Sequence, residues 1–211
     1  MGDRKNKMRK IRRALISVSD KSNLRFLIKN LSKYKIKFIS SGGTYKKIKK
    51  MGFECEEVSK YTNSSEILSG RVKTLHPKIH SGILAKRKSK SDKIDLKKNN
   101  YYEIDLVIVN FYPFEKTLEQ NKNHEQIIEN IDIGGPTMVR AAAKNYKDVT
   151  VITNISKYES LIENINQNKG ATSLEFREHA ALEAFGETAY YESLIFNYFK
   201  KNSNKEFSRK I

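Results

Sequence analysis

Ile36–Met51, IKFISSGGTYKKIKKM, shows how this chain alternates strand, loop and helix. An apolar run of strand length, Ile36 to Ile39, passes into Ser40-Ser41-Gly42-Gly43-Thr44, and a helix carrying Tyr45, Ile48 and Met51 follows. The same order stands upstream. Ala14 to Val18 reads as a strand ending in Ser17-Val18-Ser19-Asp20-Lys21, and Leu24, Phe26 to Ile28 and Leu31 fall at helical spacing. Strands that each feed a helix through a short polar loop predict an α/β protein with a parallel sheet, whose loops gather along one edge where ligands bind. Ser-Gly-Gly-Thr offers backbone N–H groups and hydroxyls without bulk, as phosphate loops do. It matches neither the Walker nor the dinucleotide pattern, and a plain helix cap accounts for it equally well.

Outward from there, Phe53 to Val58 reads as a third strand, with Cys55 as a small buried residue in it. Asp105 to Asn110, DLVIVN, has four consecutive apolar residues and is the clearest buried parallel strand; Val149 to Ile152 is another. Tyr158 to Ile165 reads as a helix, and apolar positions recur at helical spacing from Leu174 to Phe199, with a break near Gly186. Residues 86–103 are polar and read as a surface excursion in which Leu96 and its neighbours form a short helix. The expected organisation is a basic tail at 1–11, one domain at 12–200 and a polar tail or linker at 201–211.

The chain of 211 residues is long enough to bury a real core, and 38% hydrophobic with 31% charged residues suits a globular protein with a charged surface. No apolar run reaches membrane-spanning length and the basic start leads straight into a strand-like run, so the expectation is a cytoplasmic protein with neither membrane span nor secretory signal. A single cysteine excludes an internal disulfide framework. The formal charge of +17 fits either nucleic-acid binding or an anionic small ligand with surplus lysine on the surface. No zinc-finger spacing, RNP-like aromatic motif or recognition helix accompanies it, which weighs against nucleic acid.

Three stretches carry chemistry-bearing residues. Gly70 to His80, GRVKTLHPKIH, is dense in cations and hydroxyls. His76 and His80 have the spacing of a metal pair, but Pro77 between them argues against a regular helix and no metal site is expected. Tyr112 sits where the loop after the DLVIVN strand projects toward the ligand edge, or else it is a packing aromatic. Asn130 to Asn145, NIDIGGPTMVRAAAKN, combines an acid, a glycine turn, a helix start and two cations. Thr137, Arg140 and Lys144 share one helical face and the alanines supply a slim packing face; the helix start suits an anion, although an ordinary amphipathic helix reads the same.

Taken together, SVSDK at 17–21, SSGGT at 40–44, GRVKTLHPKIHSGIL at 70–84, DLVIVNFYPF at 105–114 and NIDIGGPTMVRAAAKN at 130–145 resemble the inosine monophosphate cyclohydrolase family. That domain forms one half of a bifunctional purine-biosynthesis enzyme, the other half being a formyltransferase. The resemblance spans Arg13 to Phe199. It implies a methylglyoxal-synthase-like three-layer α/β fold with a central, mostly parallel sheet, a homodimer, no cofactor and no metal. It implies dehydrative ring closure of a formamidoimidazole-carboxamide ribonucleotide, with Lys73, Tyr112, Asp132 and Lys144 at the reacting end and Lys144 coupled to Asp132. The same resemblance assigns Ser17, Ser19, Lys21, Ser40, Ser41, Gly42, Gly43, Thr44, Arg71 and Thr74 to the ribose phosphate, and Ile133 and Gly134 to substrate through the helix start. Departures are Ser41 where the family has threonine, and Glu187 and Glu192 where it has histidine and aspartate. No formyltransferase half is expected in this chain. The competing readings are methylglyoxal synthase, which would leave RVKTLHP unexplained, and a basic nucleotide- or RNA-binding module without catalysis.

Overall fold

The apolar runs pair side by side in an order that departs from chain order. The computed structural model describes residues 8–120 and 123–203; residues 1–7 and 204–211, and with them most of both expected tails, lie outside the described residues. The strands are β1 Arg9–Lys10, β2 Arg13–Val18, β3 Lys37–Ser40, β4 Glu56–Glu57, β5 Leu106–Asn110, β6 Thr150–Ile152 and β7 Ala171–Thr172. The helices are α1 Leu24–Ser32, α2 Gly42–Lys50, α3 Val58–Thr62, α4 Pro77–Leu84, α5 Lys90–Lys98, α6 Phe114–Glu119, α7 His124–Glu129, α8 Gly134–Lys144, α9 Tyr158–Gln167 and α10 Leu174–Lys201. Five strands form one parallel sheet in the order β4-β3-β2-β5-β6. None of the helices among the described residues is long and apolar enough to cross a membrane.

Alternation along the strands builds three layers, because successive side chains leave a strand on opposite faces. Leu15, Val107, Val109 and Val151 pack with α4, α8 and α10 through Ile79, Ile83 and the alanines of α8. Ile16, Ile108 and Ile152 pack on the other face with α1 and α9 through Leu27, Leu31 and Leu161. Each of these large aliphatic side chains contributes roughly 1.5–3 kcal/mol by leaving water. The alanine run of α8 lets that helix lie close to β5 and β6 and to α10.

The chain enters at the centre of the sheet, works outward through β3 and β4, then crosses to β5 and β6. Strand order therefore reverses between β2 and β5, which opens a crevice beyond their carboxyl ends.

Several expectations need correction. Only Glu56–Glu57 of the third strand pairs, opposite Ile39 and Ser40, and Val58 already begins α3. Cys55 precedes that strand and is half-buried; burial pushes its thiol up to about 12. Part of the amino-terminal segment is ordered into the domain, since β1 pairs antiparallel with β7 and Ile11 is buried. Pro77 does not bar a helix: it occupies the first position of α4, where no N–H is needed, and His76 Nδ1 accepts the Lys78 N–H at 3.0 Å as the cap. His76 and His80 thus do not share a helical face. Segment 86–103 forms the expected α5 over buried Leu96, yet Arg87 is also buried, donating to Ile104 O at 2.6 Å and to Ala85 O. Finally, α10 runs unbroken through Gly186, where an added methyl would meet nothing within 4 Å.

Candidate active site

Hydroxyl residues at the ends of β2 and β3 fasten the loops before they can offer anything to a ligand. Thr44 Oγ1 accepts the Val18 N–H at 3.1 Å and donates to Val18 O at 3.0 Å, clasping the end of β2 to the start of α2. Ser40 Oγ donates to Ile16 O at 2.6 Å and is fully buried. Ser19 Oγ lies 2.9 Å from Asn110 Oδ1 and 2.7 Å from Phe111 O, so it ties the β2 loop to the β5 loop. Ser40, Thr44 and Ser19 shape the edge with hydroxyls already engaged. Ser17, Ser41, Gly42 and Gly43 line the hollow they leave, joined by Lys21, whose Nζ donates to Ser19 O at 3.1 Å.

Gly42 is favoured by its backbone and lies close under Lys73. Its φ is +51°, and a Cβ there would stand 3.2 Å from Lys73 Nζ. Lys73 is therefore brought over the SSGGT loop from the segment after Gly70. Lys73 pairs with Glu66 at 2.6 Å, and Arg71 pairs with Glu129, its Nε donating to Oε1 at 3.1 Å. Thr74 is buried against the start of α8, where a Cβ on Gly134 would lie 2.7 Å from its Oγ1.

Asp132 closes the ring of residues. Its Oδ1 accepts the Gly135 N–H at 2.8 Å, and its own backbone N–H donates to Tyr191 OH at 2.8 Å. Burial raises the Asp132 carboxyl above the usual carboxylate range, and the Gly135 N–H opposes that shift. A Cβ on Gly135 would collide with the carboxylate, so the second glycine of the turn makes room for the acid itself. Ile133, at the start of α8, is exposed, and Tyr112 stands exposed on the β5 loop.

Two adjoining cavities of about 540 and 500 Å³ occupy this edge and share Ser17, Ser41, Lys73 and Asp132. The larger takes in Arg71, Thr74, Ile133 and Gly134; the smaller takes in Lys21, Gly42, Gly43 and Tyr112. Three cations, two of them held by carboxylates, an uncapped start to α2 and one desolvated acid suit an anionic ligand with a group that exchanges protons.

Lys144 is not brought to this place. It is the last residue of α8, about 15 Å along the axis from Gly134 at 1.5 Å per residue. There it is exposed and lines a separate basic hollow with Arg9, Lys86, Lys88 and Lys147. Asp132 has Gly135 and Tyr191 as its hydrogen-bond partners, and the expected Lys144–Asp132 pair does not form within the chain. The sequence reading missed Asn110, Tyr191, Glu66 and Glu129. Asn110 was visible as the polar end of an apolar strand, whereas nothing in the sequence linked Glu129 to Arg71 or Tyr191 to Asp132 across 58 and 59 positions. Among the described residues no group of three or more His, Cys, Asp or Glu is placed to hold a metal ion.

The MGS-like domain model matches residues 23–137, and the AICARFT/IMPCHase bienzyme model matches residues 142–211. The chain belongs to the MGS-like domain family. The bifunctional purine biosynthesis protein PurH of Prochlorococcus marinus (strain MIT 9301) is 48% identical over 199 residues, covering 94% of this chain and 38% of the relative. PurH of Wigglesworthia glossinidia brevipalpis is 48% identical over 201 residues, covering 95% and 37%, and PurH of Bradyrhizobium diazoefficiens is 44% identical over 193 residues, covering 92% and 36%. The chain thus spans less than two fifths of the length of these curated relatives. Among solved structures, the crystal structure of ForH superposes with a TM-score of 0.76 at 30% identity, covering 90% of this chain and 98% of that one.

Proposed function

We propose that the chain is an inosine monophosphate cyclohydrolase, acting in the cytoplasm as a homodimer on the formamidoimidazole-carboxamide ribonucleotide. The observation that carries this reading is the convergence of Asp132 and Lys73, from segments far apart in the chain, on cavities floored by the loops after β2 and β3. In the reaction the carboxamide nitrogen attacks the formyl carbon and a C–N bond forms as that nitrogen loses one proton. The C–O bond then breaks as the formamido nitrogen loses the other and becomes doubly bonded to that carbon, and the former formyl oxygen leaves with both protons as water. Asp132, desolvated and engaged at Oδ1, is suited to take the nitrogen's proton through Oδ2. Lys73 and Tyr112 are suited to hold and protonate the departing oxygen, with backbone N–H groups at the start of α8 as further donors. Arg71, Lys21 and the SSGGT loop supply charge and N–H groups for the ribose phosphate.

Ring closure is intramolecular, so the protein's task is to hold two groups of one molecule in contact and manage the protons. The test is to mix purified protein with the formamido nucleotide and follow purine absorbance. Acceleration over the spontaneous rate is expected; an unchanged rate would end this reading.

A further inference from the structure

Two of the three cations that this site brings to an anionic ligand, Arg71 and Lys73, already face carboxylates. Arg71 meets Glu129, the last residue of α7, through two of its guanidinium nitrogens. Lys73 meets Glu66 across a tight reversal in which Ile67 and Val72 bridge antiparallel and Gly70 turns the chain at φ +92°. These pairs lie toward solvent, with side-chain exposures of 67% and 53% for Arg71 and Glu129, and of 28% and 46% for Lys73 and Glu66. Pairs reached by water are screened by salt and open to exchange for another anion.

Charge counting makes the arrangement consequential. Lys21, Arg71 and Lys73 stand against Glu66, Glu129 and Asp132, so the edge is close to neutral when all three acids are ionised. A phosphate dianion entering beside them would leave two surplus negative charges, and like charges at close range repel. One or more carboxylates must therefore give way.

We propose that Glu66 and Glu129 are exchangeable counter-ions that determine ligand specificity at this site: Glu129 occupies Arg71 until a phosphate replaces it, and Glu66 occupies Lys73 until an oxygen on the base replaces it. Holding the cations in this way gives the 66–74 segment partners when no ligand is bound, and it sets a cost at each cation that a ligand bearing both groups offsets twice. The inference rests on the cyclohydrolase reading for the identity of that ligand.

Calorimetric titration of Glu129→Gln and Glu66→Gln with inosine monophosphate, inosine and inorganic phosphate tests it. Removing the competing charge at Glu129 is expected to tighten inosine monophosphate and phosphate by about two- to fivefold, the range set by an exposed ion pair, and to leave inosine unchanged. Glu66→Gln is expected to tighten inosine monophosphate and inosine alike and to leave phosphate unchanged. Weaker binding of every ligand in both variants, or equal tightening of nucleotide and nucleoside in Glu129→Gln, overturns the proposal. Wild-type protein that binds phosphate but not inosine monophosphate would sink the cyclohydrolase reading, while the phosphate arm would still decide the exchange at Arg71. Each acid reads its own cation, so a variant that fails to fold leaves the other to decide.

Discussion

Arg71 and Arg177 carry the same side chain to opposite fates. Arg177, near the start of α10, is fully buried, and its guanidinium donates to the carbonyls of Tyr146 at 2.9 Å, Lys147 at 3.1 Å and Thr172. Burial pushes it down to about 10. Arg71 lies exposed at the ligand edge and pairs with a carboxylate. Backbone carbonyls cannot move away without unfolding what they belong to, so the Arg177 contacts lock β7 and the segment before β6. A carboxylate on a helix end can move, so the Arg71 contact is open to exchange. The difference teaches that in a chain of charge +17 the partner of a cation, rather than its presence, separates scaffold from site.

The sharpest way to break this contrast is to remove charge from the site without touching the scaffold. Asp132→Asn keeps the shape and an acceptor for the Gly135 N–H but loses the proposed base; on that reading single-turnover closure should fall by about two to four orders of magnitude. Its stability should move the other way. Because the folded-state pKa of Asp132 is raised, its contribution to stability is fully present below the unfolded value and is lost as pH rises through the folded one. Urea melts should therefore find the Asn variant equal or slightly more stable at neutral pH, with the difference closing below about pH 4.

Next in size is the scaffold arm. Arg177→Met removes the donors to three carbonyls, that of Thr172 buried, and should cost about 3 kcal/mol in denaturant unfolding, while the folded fraction retains its affinity for inosine monophosphate. A smaller effect is expected at Ser40, which belongs to a predicted phosphate loop but donates its hydroxyl to Ile16 O. Ser40→Ala should lose about 1 kcal/mol of stability and leave nucleotide affinity unchanged; a drop in affinity at constant stability would return Ser40 to the ligand.

The smallest change is expected at Lys144. Lys144→Arg should leave the melting temperature unchanged and inosine monophosphate affinity and closure each within about twofold, since an exposed charge at a helix end is preserved. A closure rate down a hundredfold would mean that Lys144 reaches a reacting centre from a second copy of the chain.

The layered α/β architecture was legible because it depends on local periodicity. ALISV and DLVIVN are runs too apolar for any place but a sheet covered on both faces, and each feeds a loop and a helix. The five motifs were legible for the same local reason, and the MGS-like family follows from them. Edges and ends were not. Whether Phe53 to Val58 pairs along its whole length depends on how far β3 extends beside it, and whether a polar segment anchors or drifts depends on Arg87 finding carbonyls at Ala85 and Ile104.

From residues alone came the central strands and the helices that follow them, the glycines that precede a helix start, and the acids and cations close along the chain. Tertiary structure alone decided what those charges face. Lys144 and Asp132 share one motif, yet a rigid helix carries them to opposite edges of the sheet, while Asp132 and Lys73 are 59 positions apart and line the same cavities. The physical reason is that an α-helix converts sequence proximity into distance at 1.5 Å per residue, whereas a parallel sheet gathers the carboxyl ends of remote strands at one crevice.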